Sequence, residues 1–320
     1  MKAVQFPRYG GPDVLTVNDV PEPVPGTGQL LVRMQASSVN PIDWKLASGV
    51  LRFLMWIKRP ATPGFDLVGE VLQVGPQSGK FSIGQQVVAR ISQNPGGATA
   101  EKALVSAKDC VLLPEGITPQ DAAALPLAGM TALQALRDDC GMKLTGETKR
   151  VLIVGGSGGV GHYAVQIAHQ AGAHVTAVCS AKRAAVVRSL GASVIIDYQQ
   201  QDHLRSDAPY DIILDCASKP NWAPFEEVLT ERGVLSQITF SAGWLARIAW
   251  TKLSSKKRIK PTMLKPNAKD LSLLLGWMKQ GNLQSLVGAS FPFTDLADAW
   301  RLNEKGGTLG KIGITYPEPQ

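Results

Sequence analysis

The residues of this sequence best spaced for chemistry are three glycines, Gly156, Gly158 and Gly161, in the run Gly155-Gly156-Ser157-Gly158-Gly159-Val160-Gly161. Four apolar residues, Val151 to Val154, lead into the run, and a segment of helical period, His162 to Ala171, follows it. In the order strand, glycines, helix, the spacing G-x-G-x-x-G is a fingerprint for the pyrophosphate of a dinucleotide. The first glycine permits a tight turn, the second lets the backbone approach the anion, and the third lets helix and strand pack closely. Ser157, Gly159 and Val160 complete the loop, and the helix N-terminus offers free N–H groups to the negative charge. A glycine-rich turn without a ligand is the alternative.

The stretch after the second strand narrows the nucleotide. NAD-binding chains place Asp or Glu there, about 20 residues past the glycines, to hold the ribose 2′-hydroxyl. This chain reads Val178-Cys179-Ser180-Ala181-Lys182-Arg183 instead. A carboxylate would repel a 2′-phosphate, whereas Ser180, Lys182 and Arg183 can bind one through charge-assisted hydrogen bonds. The swap of charge predicts NADP(H). The alternative is that Lys182 and Arg183 only solvate the start of the next helix.

A sheet must hold these residues. Apolar strands at 149–154, 174–179, 194–196, 211–216 and 233–239 alternate with helical segments at 160–171, 181–190 and near 222–229. That alternation predicts an α/β fold, a doubly wound parallel Rossmann sheet covered on both faces. Residues 1 to about 120 read differently: short strands at 29–36, 68–74, 86–91 and 101–105 lie between Gly and Pro residues, as in a small β-rich domain. In 29–36 the alternation of Leu30, Val32 and Met34 with Leu31, Arg33 and Gln35 suits a half-buried strand. Helices are expected from Thr118 and over 129–136. Past Pro261, a helix at 268–279, a strand at 286–291, a helix at 294–303 and a strand at 310–315 return to finish the first domain. The expected domains are therefore 1–120 completed by 262–320, and a nucleotide domain over 121–261.

With 44% hydrophobic and 18% charged residues in a chain of 320, there is ample core for two such domains. Cys110, Cys140, Cys179 and Cys216 show no C-x-x-C and no pairing pattern, as expected of buried thiols in a reducing compartment. No apolar run is long enough to span a membrane. MKAVQF enters a strand-like segment at once, which leaves no room for a targeting segment and points to the cytoplasm. Of the net charge of +7, six cations (Arg247, Lys252, Lys256, Lys257, Arg258, Lys260) fall in the acid-free stretch 243–261, beside Trp244 and Trp250. The basicity is one patch, so a general nucleic-acid coat is excluded. The patch is read as a solvated loop, as a peripheral contact with anionic lipid, or, least of all, as an RNA contact.

Four further motifs, in register along the whole chain, carry a resemblance. They are Val39-Asn40-Pro41-Ile42-Asp43-Trp44-Lys45, Pro63-Gly64-Phe65-Asp66-Leu67-Val68-Gly69-Glu70-Val71, Ala124-Leu125-Pro126 through Thr131-Ala132, and Gly158-Gly159-Val160-Gly161. With them the sequence resembles the medium-chain dehydrogenase/reductase superfamily, and within it the zinc-independent quinone oxidoreductase branch. The resemblance implies a GroES-like catalytic domain beside the Rossmann domain, an NADP(H)-dependent oxidoreductase, and a homodimer that pairs edge strands near 233–239 and 259–264. In the superfamily's zinc-dependent alcohol dehydrogenases, the positions of Asn40 and Phe65 hold the Cys and His ligands. Asn and Phe cannot replace thiolate and imidazole effectively, so no metal is expected.

Without a Lewis acid, reduction of a simple ketone is poorly supported, and a conjugated acceptor needs less help. The expected reaction is hydride addition to the β-carbon of an enone or enal, with quinones as the second class of substrate. A non-catalytic NADPH-binding protein is the rival from another class. By the resemblance, Asn40, Lys45 and Thr131 line the nicotinamide pocket, with Lys45 orienting the ribose or the substrate oxygen. Tyr198 reaches the adenosine phosphate, and Lys311 approaches the cofactor from the returning chain. The competing readings are a turn residue for Asn40, a surface lysine for Lys45 and a strand-end aromatic for Tyr198.

Overall fold

In the computed structural model, residues 1–53, 55–202, 204, 208–217, 223–238 and 256–317 are described. In chain order the elements are β1 (Lys2–Gln5), β2 (Thr16–Asp19), β3 (Gln29–Val39), α1 (Pro41–Ala47), β4 (Asp66–Val74), β5 (Gln86–Arg90), β6 (Lys102–Ser106) and β7 (Cys110–Leu112). Then come α2 (Pro119–Ala124), α3 (Pro126–Gln134), β8 (Arg150–Val154), α4 (Gly161–Ala171), β9 (His174–Cys179), α5 (Ala184–Ser189), β10 (Val194–Asp197), β11 (Tyr210–Asp215), α6 (Ala223–Glu226), β12 (Leu229–Gln237) and β13 (Arg258–Pro261). Helix Ala268–Lys279, β14 (Val287–Pro292), helix Leu296–Lys305 and β15 (Lys311–Thr315) end the chain.

They form two compact units, Met1–Ala128 with Pro266–Gln320, and Gly129–Lys265. Residues 121–128 cluster with the first unit because α2 packs on β3, β4 and β15. Thr118 caps α2 by accepting from the Asp121 N–H at 3.2 Å, with Pro119 following at the first helical position.

The first unit is built on a mixed sheet in the order β14-β15-β3-β4-β5-β7, with β6 also paired to β3. β3 is its central strand: β4 lies along one edge, and β6 and then β15 share the other. Because β3 is interior, Leu31 is as fully buried as Leu30 and Val32. The strand is therefore covered on both faces over this stretch, not half-buried as alternation alone suggests. β15 pairs antiparallel with the end of β3, Ile312 opposite Val39, so the end of the chain reaches the start of α1. Trp300, Phe6, Phe65 and Leu46 anchor the core beneath.

In the second unit all six strands are parallel, in the order β10-β9-β8-β11-β12-β13. The chain runs β8 to β10 in one direction, returns to the other side of β8 at β11, and continues outward to β13. The end of β8 is thus a topological switch point, where open α/β sheets bind ligands. The middles of the interior strands, 151–154 of β8 and 212–214 of β11, are apolar, as a sheet covered on both faces requires. Gly172, at φ 98°, ends α4 in the left-handed conformation that glycine adopts without strain.

Of the basic stretch 243–261, residues 243–255 lie outside the described residues. The remainder belongs to the sheet edge: Lys256 pairs with Glu231, Lys257 donates to the Glu226 carbonyl, and Arg258 and Lys260 sit on β13. No helix among the described residues is long and apolar enough to cross a membrane.

Candidate functional site

In the second unit, β8 turns through Gly155 at φ 79° into the loop that precedes α4. A Cβ on Gly161 would lie 2.1 Å from the Gly155 carbonyl oxygen, and one on Gly156 would lie 2.9 Å from the Ala177 Cβ, so packing demands glycine at both. Gly158 is different. A Cβ there would meet only the Gly155 oxygen, at 3.3 Å, a tight contact that needs a shift of a few tenths of an ångström but is not an overlap. Bare backbone at Gly158 is what a closely approaching pyrophosphate needs. Among the described residues, the amides of Ser157, Gly159 and Val160 have no backbone acceptor. The loop therefore fits a dinucleotide. His162 is fully buried in the first turn of α4, its Nδ1 donating to the Gly158 carbonyl at 2.9 Å.

Ser180 follows β9, and a short turn, Ala181–Arg183, leads into α5. The structure brings Arg183 to the glycine loop, its guanidinium donating to the Ser157 hydroxyl at 3.4 Å. Lys182 is exposed, and Tyr198 is exposed just past β10. Thr131 is buried on α3.

In the first unit the sequence motifs converge on one buried polar cluster. Asp66, at the start of β4 and fully buried, accepts through Oδ2 from the Ser38 hydroxyl at 2.6 Å and from Asn40 Nδ2 at 2.7 Å. Its Oδ1 accepts from the Leu127 N–H at 2.9 Å, in the first turn of α3, where a helix favours negative charge. Lys311, at the head of β15 and also buried, donates to the Val39 carbonyl at 3.0 Å and to Asn40 Oδ1, and lies 3.6 Å from Asp66 Oδ2. The ammonium and the carboxamide of Asn40 are thereby both held inside the unit, by two hydrogen bonds from Lys311 and the nearby charge of Asp66.

Asn40 precedes Pro41 and opens α1, so both the turn expected of Asn-Pro and a helix start are present. Asp43, one turn on, accepts from the Asn40 N–H at 2.7 Å. Its other oxygen, Oδ1, is buried with no hydrogen-bond partner among the described residues. Burial, and to a lesser extent the charge of Asp66, pushes the Asp43 carboxyl up to about 7, against the bond from Asn40. Burial likewise pushes the Lys311 ammonium down, opposed by Asp66 and Asp43. Arg90 lies 4.4 Å above the Phe65 ring, facing the same carboxylates. Lys45 stands apart, half-buried on α1 with its Nζ 5.5 Å from the Trp44 ring centroid.

The cluster thus joins Asn40 and Lys311 but not Lys45, and it adds Ser38, Asp43, Asp66 and Arg90, which sequence reasoning did not single out. The available signal was Asp66 itself, a carboxylate set in the glycine-bounded apolar run Gly64-Phe65-Asp66-Leu67-Val68-Gly69. No group of three or more His, Cys, Asp or Glu placed to hold a metal occurs among the described residues.

A parallel sheet with a dinucleotide loop at its switch point, together with a β-rich unit completed by the returning chain, defines a dehydrogenase/reductase architecture. Comparison with known proteins agrees. The alcohol dehydrogenase GroES-like domain family matches residues 26–115, and the zinc-binding dehydrogenase family matches residues 190–312. The chain is 38% identical to the chloroplast envelope quinone oxidoreductase homolog of Arabidopsis thaliana, covering 98% of this chain and 97% of that one. It is 32% identical to a trans-enoyl reductase of Aspergillus terreus, over 92% and 88% of the two chains. The solved quinone oxidoreductase of Coxiella burnetii superposes with a TM-score of 0.88 at 30% identity, over 98% of this chain and 99% of that one. The chain belongs to the medium-chain dehydrogenase/reductase superfamily and is an oxidoreductase of the quinone oxidoreductase type.

Proposed function

We propose that the protein is an NADPH-dependent reductase of α,β-unsaturated carbonyls that works without a metal. One observation carries this reading. The positions that hold zinc ligands in the alcohol dehydrogenases are here Asn40, hydrogen-bonded to Lys311, Asp66 and Ser38, and the fully buried phenyl ring of Phe65. Neither has a donor atom left to bind zinc. A conjugated acceptor fits such a site because it needs only a hydrogen-bond donor for the carbonyl oxygen and a proton for the α-carbon.

NADPH supplies the hydride when bound. Gly156, Ser157, Gly158, Gly159, Val160 and Gly161 would hold its pyrophosphate through backbone amides and the N-terminus of α4. Arg183, already directed to Ser157, would bind the 2′-phosphate with Ser180 and Lys182. Tyr198 would reach the adenosine phosphate, and Thr131 would hold the ribose or carboxamide. In the first unit Lys45 would donate to the ribose or to the substrate oxygen. Asn40 and Lys311, whose polar atoms face one another, would act by positioning the start of α1, on which Lys45 is carried.

Quinone reduction is the second reading, favoured by the names of the most similar relatives, whereas the trans-enoyl reductase name favours reduction of an alkene. NADPH oxidation with a 2-alkenal, a γ-ketol-type enone and a 1,4-quinone, with the products identified, tests both. Saturated carbonyl products establish alkene reduction. Turnover of the quinone alone establishes the second reading, and turnover of none leaves a nucleotide-binding protein. The family's homodimer would use the edge strand β13, and sedimentation gives the mass that decides it.

A further inference from the structure

The segment after α1 divides its apolar residues by direction. Leu51 and Met55 pack on the core of the first unit and Ile57 is buried in it. The Met55 N–H donates to the Leu51 carbonyl at 2.8 Å, and Asn94 donates to the Met55 sulfur at 3.2 Å, so the segment is tied down. Val50, Phe53 and Trp56, three residues apart, point the other way and are 74%, 88% and 75% exposed. Other exposed apolar residues, such as Val24 and Ile83, stand singly, which is ordinary for a protein surface. Three large apolar groups in one short tethered segment are not ordinary.

The charge around them has one sign. Between Asp43 and Asp66 the sequence holds Lys45, Arg52, Lys58 and Arg59 and no acidic residue. Arg52 and Lys58 are exposed, with the Arg52 guanidinium 4.8 Å from the Phe53 ring centroid, and Arg59 lies over Tyr9. We propose that Val50, Phe53 and Trp56, rimmed by Arg52 and Lys58, form a docking surface for an anionic lipid bilayer. Tryptophan and phenylalanine favour the boundary between headgroups and acyl chains, and the cations beside them meet the negative surface potential of anionic headgroups. An acidic protein groove would match the cations but would not need aromatic side chains this exposed.

Flotation of the full chain with phosphatidylcholine vesicles, with and without phosphatidylserine, tests the proposal at low and high salt. The expected result is recovery with the phosphatidylserine vesicles at low salt and release at high salt. Phe53→Ser/Trp56→Ser is expected to lower the bound fraction by about tenfold or more, with an unchanged unfolding midpoint. Arg52→Gln/Lys58→Gln is expected to release at lower salt than the parent chain, a comparison that stands even where the aromatic double variant folds poorly. Absence of the parent chain from the lipid fraction at low salt overturns the proposal. So does flotation of both variants like the parent, which would move any lipid contact to 243–261. A lower sedimentation mass for the aromatic variant, with flotation unchanged, assigns the surface to a second copy of the chain. Lost turnover of conjugated acceptors with flotation unchanged assigns it to the substrate.

Discussion

Lys311 and Asp66 show how a buried ion pair is made tolerable. The ammonium donates to two acceptors and lies 3.6 Å from Asp66, and both carboxylate oxygens accept hydrogen bonds. Lys311→Met would leave Asp66 charged and uncompensated in the interior, at a cost of about 3–5 kcal/mol. Urea denaturation measures that loss, and Lys311→Met/Asp66→Asn should recover part of it, since the pair is coupled. Asp43 gives a dependence on pH. Its folded value of about 7 lies above the 3.8 of an ordinary aspartate in the unfolded chain, so over that interval the folded chain keeps a proton that the unfolded chain has lost. The ionisation of Asp43 costs no stability below pH 3.8, costs progressively more from pH 3.8 to about 7, and adds nothing further above. Measured against Asp43→Asn, the parent chain should lose stability as pH rises through that window. A constant difference between the two would refute the assignment. Lys311, pushed down by the same burial, acts in the opposite sense on the alkaline side, where stability is lost as pH falls.

At the scale of elements, the loop between β8 and α4 contains two kinds of glycine. Gly161→Ala drives a Cβ into the backbone oxygen of Gly155, which cannot move aside, and should destabilise the chain by about 1–3 kcal/mol. Gly158→Ala places its Cβ 3.3 Å from the same oxygen, a tight contact but not an overlap, and should destabilise the chain less than Gly161→Ala while binding NADPH more weakly. Thermal unfolding and NADPH titration on the same samples separate the two effects. Arg183→Ala should raise the Kd for NADPH by roughly tenfold or more, the worth of a hydrogen bond to a charged group, and leave NADH binding unchanged. Equal losses for both nucleotides would remove Arg183 from the 2′-phosphate. The loop was legible in the sequence because strand, glycines and helix are contiguous. Strand β3 was legible only in outline: alternation cannot reveal that partners on both edges and cover on both faces bury Leu31 with Leu30.

For the molecule as a whole, the four thiols are expected to be inert. Cys110, Cys140 and Cys179 are buried, Cys216 is half-buried, and burial pushes all four thiols up, Cys110 to about 12. Ellman's reagent should react slowly with the native chain and with all four thiols after unfolding; rapid titration of the native protein would contradict this. The sequence by itself determined the parallel nucleotide-binding unit, because strand, glycines and helix are written in neighbouring residues. Only the tertiary structure decided what Asn40 does. Its partners, Asp66 and Lys311, are 26 and 271 residues away, and they meet because β3 is central and β15 returns to its end. Tertiary packing also turned Leu51, Met55 and Ile57 inward and left Val50, Phe53 and Trp56 outside, a division that composition alone cannot specify.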